Sequence, residues 1–468
     1  MPIPVAAMMT ASYLKQVLPG YRSAIEGADL VMVPGSVEGS LSDLRELLGV
    51  EVVKGPRHAS DIQVVLELYL KGIIKLSPSE PADALVLLYM EDYERRVLED
   101  AKKRAELDCA FKIGGMPVSK HYPLVVVEVY TMWGFEKAVR VAEHGDLVSL
   151  GVPGESKLEE VALFIEKLRL TGKPVGIDTE NLDLALKLLD KVDFVNNVFV
   201  ENVDWVVKAK SRLQGKPVIL VAASGSVEDR VEALATMWKA LREQGVNAIV
   251  DPVLKPPVLG LAESLEAYIQ LKKAHPEIPV LMGVGNVTEL ADVDCHGLSA
   301  LLAFVGVELG VELYLTTEAS TKTRGCAKEL RKALDMAVIA RDLKKPPKDL
   351  STSMLYLKSK RSLSVQLPRS QRVIYAEEKH KYGLDPKGYF RIHVDHDSGF
   401  IVLQHYEYGS REPSVEIRSK SAHAILKVLL EGNLASMPDH FFYLGYELAK
   451  AEVALKTGRE YEQDKDLF

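Results

Sequence analysis

Eight short runs dominated by Val, Ile and Leu recur between residues 123 and 317. They are PLVVVEVY (123–130), DLVSLG (146–151), PVGIDT (174–179), DFVNNV (193–198), PVILVAAS (217–224), NAIVDP (247–252), PVLMGVG (279–285) and VELYLTT (311–317). Near-continuous apolar runs of this length read as strands buried on both faces, the condition of a parallel sheet covered by helices. Helical patterns such as LEEVALFIEKLRL, VEDRVEALATMWKALREQG and LAESLEAYIQLKKA stand between them. Eight strand–helix units, roughly 20–35 residues apart, predict a closed (β/α)8 barrel of about 220 residues. A doubly wound open sheet is the competing arrangement, and eight well-separated units favour closure.

A chain of 468 residues has room for more than this barrel. Ahead of it, ADLVMVP (28–34), VEVVKG (50–55) and ALVLLY (84–89) read as strands, and SLSDLRELLG (40–49) and DIQVVLELYLKG (61–72) as helices. That alternation predicts a small parallel α/β domain over residues 1–118. Its turn GPRHASD (55–61) stands where such sheets place ligand contacts, or is simply a helix entry capped by Ser60 or Asp61. The barrel takes residues 119–343. The stretch RDLKKPPKDL (341–350) reads as a linker, being basic, polar and broken by Pro346-Pro347. Beyond it, SLSVQL, RVIYAE, YFRIHVDH, GFIVLQHYEY and SVEIR read as strands, and SAHAILKVLLEG and PDHFFYLGYELAKAEVALKTG as helices. Strands first and helices afterwards predict an α+β domain over 344–468.

Composition excludes several classes of function. The formal charge of −8 argues against bulk nucleic-acid binding, which wants a basic field. No apolar run approaches the ~20 residues of a membrane span, and MPIPVAAMMTASYLKQ lacks the basic start of a secretory signal. Cys109, Cys295 and Cys326 form no CxxC pair, which disfavours a disulfide framework or a Cys-type zinc site and fits a reducing cytoplasm. Seven Asn and nine Gln, against abundant Lys and Glu, match the bias of thermophile proteins.

In a (β/α)8 barrel, function gathers at the C-terminal ends of the strands. There the third strand carries Asp178-Thr179, the fourth Asn196-Asn197 and the sixth Asp251-Pro252. Ala222-Ala223-Ser224-Gly225 ends the fifth, Gly285-Asn286 follows the seventh and Thr316-Thr317-Glu318 the eighth. Singly, Asp178 could cap the next helix and Asp251 could serve a turn. Together they form a ring suited to a flat heterocycle with an amide and amino edge. A carboxylate accepts from adjacent N–H groups, and Asn offers both polarities.

The succession IDT (177–179), VNNV (195–198), DPV (251–253) and MGVGN (282–286) resembles the pterin-binding barrel. Dihydropteroate synthases share that barrel with folate- or methanopterin-dependent corrinoid methyltransferases. With its flanking segments, the chain resembles the archaeal dihydropteroate synthase-like proteins. The resemblance implies that Asp178, Asn197 or its neighbour Asn196, and Asp251 hold a reduced pterin of tetrahydromethanopterin or tetrahydrofolate type. Gly283 and Asn286 would close the pocket, with Asp178 and Asp251 the catalytic candidates. Where the synthases carry Ser-Arg-Lys after the seventh strand this chain has Gly285-Asn286-Val287, and after the first it has Tyr130-Thr131-Met132-Trp133-Gly134. The stretch after the seventh strand resembles the methyltransferase branch. The resemblance therefore implies a one-carbon or methyl transferase, with a synthase-type condensing enzyme and a non-catalytic pterin carrier as the alternatives. It also implies a homodimer, and a corrinoid, if any, carried by a partner protein.

Two further groups stand out. Lys322 and Arg324, in the polar loop after the eighth strand, either hold an anion at the start of the next helix or are solvated cations. His393, Asp395, His396, Asp397 and His405 match no recognised ligand spacing and read as strand polarity before a turn, so no metal is assigned.

Overall fold

The computed structural model describes residues 9–57, 59–213, 215–348, 350–359, 372–376 and 383–468. Two compact units divide the chain: Met1–Asp100 with Asp342–Ser353, and Ala101–Arg341 with Met354–Phe468. In the first unit β1 (Leu30–Val33) and β2 (Glu51–Lys54) pair in parallel, Leu30 opposite Glu51. The crossover helix Leu44–Leu48 buries Leu44 and Leu48 with Leu14, Leu18, Val33 and Val37. In the turn 55–61, the Arg57 N–H donates to Asp83 Oδ2 at 2.9 Å. Asp61 heads the helix Ile62–Leu70 without a side-chain capping bond, and His58 lies outside the described residues.

The strand expected at 84–89 is instead the start of a 25-residue helix, Asp83–Leu107. Ala, Leu and Met are strong helix formers. The segment also runs without a Gly or Pro into MEDYERRVLEDAKKRAEL, so a long helix prevails over an isolated strand. After Asp342 the chain does not run free: Ser351 donates its N–H and Oγ–H to the buried Glu94 carboxylate.

The second unit opens with a hairpin, β3 (Lys112–Ile113) and β4 (Met116–Pro117), and then builds the barrel. Its strands are β5 (Leu124–Tyr130), β6 (Leu147–Gly151), β7 (Val175–Asp178), β8 (Phe194–Phe199), β9 (Val218–Val221), β10 (Ala248–Asp251), β11 (Leu281–Gly283) and β12 (Leu313–Thr317). Every pairing is parallel, in the order β10-β9-β8-β7-β6-β5-β12-β11. A bridge between Val250 and Val280 joins the two ends, with Val250 N–H donating to the Pro279 carbonyl at 2.9 Å, so the sheet closes. All eight apolar runs form strands, as expected.

Alternation along the strands separates two cores. Val125, Val127, Val129, Val148, Leu150, Val175, Ile177, Val218 and Leu220 face the surrounding helices. Leu124, Val126, Leu147, Phe194, Ile219, Ile249, Leu281 and Leu313 fill the barrel axis, together with Ile113 and Val118 from the hairpin region. This is the layered interior that a closed eight-stranded barrel requires. Beneath it, at the N-terminal end of the strands, a buried Lys272–Glu312 pair (2.8 Å) binds Val280 N–H and the Ile278 carbonyl.

The C-terminal module is an antiparallel sheet, β13 (Tyr389–Asp395), β14 (Phe400–Tyr406) and β15 (Val415–Ser419), in that order. Helices Ala422–Glu431 and Pro438–Thr457 cover it, burying Phe390, Ile392, Ile401, Leu403, Ile425, Leu429, Leu444 and Leu448. SLSVQL lies outside the described residues. The described part of RVIYAE, 372–376, forms no strand, leaving Val373, Ile374 and Tyr375 exposed. β-branched and aromatic residues favour a strand only where a sheet offers a partner. Among the described residues, no helix is long and apolar enough to cross a membrane.

Gly176 on β7 exists for one neighbour. A Cβ there would lie 2.3 Å from Phe194 Cε2, the large side chain of the axial layer. Gly176→Ala should therefore cost about 1–3 kcal/mol through overpacking. All three tryptophans, Trp133, Trp205 and Trp238, lie within the barrel segment, so urea unfolding followed by their fluorescence checks this. An unshifted midpoint would contradict it.

Candidate functional site

Above the apolar layer, the next inward position of nearly every strand is polar or absent. Leu124 and Val126 on β5 are followed by Glu128, and Leu147 on β6 by Ser149. Gly176 is followed by Asp178, Phe194 by Asn196, Ile249 by Asp251, Leu281 by Gly283, and Leu313 and Leu315 by Thr317. One hydrogen-bonding register thus brings three carboxylates to the C-terminal mouth.

The first cluster joins β6, β7 and β8. Asp178 Oδ2 accepts from the Asn196 amide at 3.0 Å and from the Asn197 amide at 2.7 Å. Asn196, 1% exposed, also donates to Ser149 Oγ at 3.2 Å, and its own oxygen accepts the Asn197 N–H. Two successive residues can serve one carboxylate because the β8 register shifts between Val195 and Val198, and Asn197 adopts φ +60°. Asn tolerates that left-handed conformation better than other side-chain residues, and a bulge re-aims the side chains beyond it. Asp178 does not cap the next helix. Asn181 does so, accepting from Leu184 N–H at 3.0 Å.

The second cluster centres on Asp251. Its Oδ1 accepts from Tyr268 Oη at 2.8 Å and from Val253 N–H at 2.8 Å, holding Val253 at a strained φ of +61°. Oδ2 takes no hydrogen bond among the described residues. A Cβ added to Gly283 would sit 3.9 Å from that oxygen and 3.4 Å from the Asn286 amide nitrogen, so the glycine keeps open the space they border. Asn286 donates to the Leu254 carbonyl at 2.9 Å. The loop is propped from below by Arg230, fully buried, which donates to the Pro252 carbonyl at 2.7 Å and pairs with Glu263 at 2.8 Å.

Glu128 is the residue that sequence reasoning missed. Its Oε2 accepts from Tyr130 Oη at 2.7 Å. Burial pushes its carboxyl up to about 7, and the nearby Asp178 adds to the shift. Burial likewise raises Asp178 to about 6 against the pull of its two amides, and Asp251 to about 6 against the Tyr268 hydroxyl and Val253 N–H. The signal was present: a lone Glu inside VVVEVY, an otherwise apolar strand. A carboxylate placed there is either inward at the mouth or badly buried.

The structure does not bring Lys322 and Arg324 to this ring. Lys322 pairs with Asp292 at 2.9 Å and Arg324 with Glu460 at 2.8 Å, the latter also donating to the Gly458 carbonyl. In the C-terminal module, Asp395 accepts the Asp397 and Ser398 N–H groups of its turn, and Asp397 pairs with Arg140. His396 contacts the Arg459 carbonyl at 2.8 Å, and His405 contacts Ser414 Oγ and the Lys387 carbonyl. They serve the turn and its packing.

A family model described as PterinBD-DUF4346 matches residues 384–464. A Methanocaldococcus jannaschii protein, described only as uncharacterized, is 32% identical over 466 residues, covering 94% of this chain and 87% of its own. The chain belongs to one family with this archaeal protein. A Ycf91-like protein of Nostoc is 30% identical over 106 residues, 17% of this chain and 84% of that one. Among solved structures, the dihydropteroate synthase of Thermus thermophilus is 19% identical with a TM-score of 0.37, covering 48% of this chain and 96% of its own. That of Xanthomonas albilineans is 19% identical with a TM-score of 0.39, covering 50% and 98%.

The raised carboxyls carry a consequence for stability. A carboxyl whose folded pKa lies above its unfolded value favours the fold while protonated, and that advantage is lost as pH rises through the folded value. For Glu128 the window runs from its ordinary 4.5 to about 7. Glu128→Gln, which keeps an acceptor for Tyr130, should be about 2–3 kcal/mol more stable than the parent at pH 8, with little difference near pH 4. Urea unfolding at both pH values tests this, and an equal gain at both would contradict it.

Proposed function

We propose that the mouth binds a reduced pterin of the tetrahydromethanopterin or tetrahydrofolate type and passes a one-carbon group, at the methyl or methylene level, to an acceptor. The observation that carries this reading is the pair of aspartates, half-buried Asp178 and buried Asp251, set inward on β7 and β10 with amides beside each. A pterin presents adjacent ring N–H and amino donors along one edge and a carbonyl beside them. Asp251 Oδ2 is the open acceptor for such an edge, and the Asn197 and Asn286 amides offer donors and acceptors nearby. The pterin itself, when bound, supplies the carbon unit and the ring chemistry that releases it.

The chain's own groups position the ring and manage a proton. Tyr268 and Val253 N–H hold the Asp251 carboxylate by one oxygen, leaving the other aimed at the ligand. Asn196 and Asn197 hold Asp178 in the same way. Glu128, poised near neutrality at about 7, can give or take a proton at Oε1 while Tyr130 holds Oε2. In this reading the acceptor is a corrinoid borne by a partner protein, and the working assembly is a homodimer.

Condensation of a pterin diphosphate with aminobenzoate is the competing chemistry. It needs cations placed where negative charge develops on the leaving group. Lys255, Lys322 and Arg324, in the loops after β10 and β12, are each paired with a carboxylate. That commitment favours the transfer reading.

Isothermal titration with a methyl- or methylene-bearing reduced pterin tests the proposal. Asp251→Asn should weaken binding by about 1.5–3 kcal/mol, ten- to over a hundredfold, because an amide can present a donor to an N–H edge. Unchanged affinity in a folded variant would remove Asp251 from the site. A second assay supplies the pterin diphosphate and aminobenzoate, and the expected yield of dihydropteroate is negligible. Robust turnover there would replace the transfer reading with the condensing one.

A further inference from the structure

Cys295 and Cys326 stand 31 positions apart in the sequence, yet the fold brings them together with Glu329. Cys295 is the first residue of the helix Cys295–Leu309, and Cys326 the first of the helix Cys326–Asp342. Both helices start on the side of the barrel where the strands end, one ahead of β12 and one after it. Glu329 lies three residues beyond Cys326 and so shares its helix face. One ligand atom from each residue, the two Sγ and a carboxylate oxygen, lies within 4.8 Å of the others. Cys326 is fully buried and Cys295 is 5% exposed.

We infer that these three side chains form a binding site for a single soft divalent cation, with Zn²⁺ the best match. Two thiolates select zinc over magnesium or calcium, and a carboxylate is a usual third ligand. With Zn–S near 2.3 Å and Zn–O near 2.1 Å, ligand atoms on one tetrahedral ion lie about 3.6–3.8 Å apart. The cluster is already within about an ångström of that spacing. Its contact between Cys295 Sγ and Glu329 Oε2 is 2.8 Å, a distance proper to a smaller hydroxyl donor. A cation between the groups would let them relax apart while satisfying all three.

The surroundings suit a cation. Asp294 and Glu318 add negative charge near Glu329, with His296 opposing them and Glu318 paired with His144 at 3.1 Å. Loading Zn²⁺ displaces one proton from each thiol, so both protons pass to solvent and the ion carries the charge they leave. Three protein ligands leave one position, and His296 is held nearby with its ring edge-on to Tyr356 at 5.0 Å. The site is independent of the pterin reading, because none of its residues belongs to the ring at the mouth.

The test uses the full chain, purified under reducing conditions without chelator and analysed for bound metal by mass spectrometry. About one zinc per chain is expected. Cobalt added to the zinc-stripped protein should produce thiolate-to-cobalt charge-transfer absorption, which only sulfur ligation gives. Cys326→Ser should lose both signals and Glu329→Gln should weaken zinc at least tenfold, while Cys109→Ser keeps both. The cobalt titration needs no variant, so a misfolded mutant does not decide the matter. Folded wild-type chain that takes up neither zinc nor cobalt would overturn the proposal. So would zinc retained by Cys326→Ser, or a Cys295–Cys326 disulfide that persists in place of metal under reducing conditions.

Discussion

The parallel hydrogen-bonding register of the eight barrel strands, closed by the Val250–Val280 bridge, is the constraint on which the rest of the site depends. Side chains alternate with a period of two, so a slip of one residue would exchange the helix-facing and axial sets on a whole strand. In the observed register Val126, Leu147, Phe194, Ile249 and Leu281 fill the axis. Two residues further along the same strands, Glu128, Ser149, Asn196, Asp251 and Gly283 then stand at the mouth. The apolar plug and the polar ring are therefore one structural decision.

That decision has an energetic cost. Three carboxyls held at about 6 to 7 are groups the fold would rather keep neutral, and ionising them near neutral pH works against stability. Left-handed backbone at Asn197 and Val253 adds strain at the same place. The axial layer and the buried Lys272–Glu312 pair lie at the opposite end of the strands, where they hold the sheet without competing for the mouth. Positioning groups fill the space between: Tyr268, Asn196 and the buried Arg230 each fix a carboxylate of the mouth or the loop that carries it.

Family membership bears on what this arrangement means. The matching family model covers 384–464, the C-terminal module, whereas the polar ring belongs to the barrel. The M. jannaschii relative spans both.

Much of the barrel was legible because its signal is local. A parallel strand buried on both faces is an apolar run whatever surrounds it, so PVGIDT or NAIVDP announces itself without its partners. Polar residues at strand ends, Asp178, Asn196, Asn197 and Asp251, were readable for the same reason. ALVLLY misled because six apolar residues suit a strand or a buried helix equally, and only the helical continuation to Leu107 settles it. The number, order and ends of the strands, and with them the residues available at the mouth, were thus determined by the sequence by itself. Tertiary structure alone decided which of those residues meet. The bulge that turns Asn196 and Asn197 onto one carboxylate depends on the register against β9. The inward aim of Glu128 depends on closure of the sheet. The meeting of Cys295 with Cys326, invisible in a sequence without a CxxC pair, depends on two helix starts lying side by side. Strand formation is governed by each segment's own side chains, whereas these contacts join residues far apart in the chain and exist only once the barrel has closed.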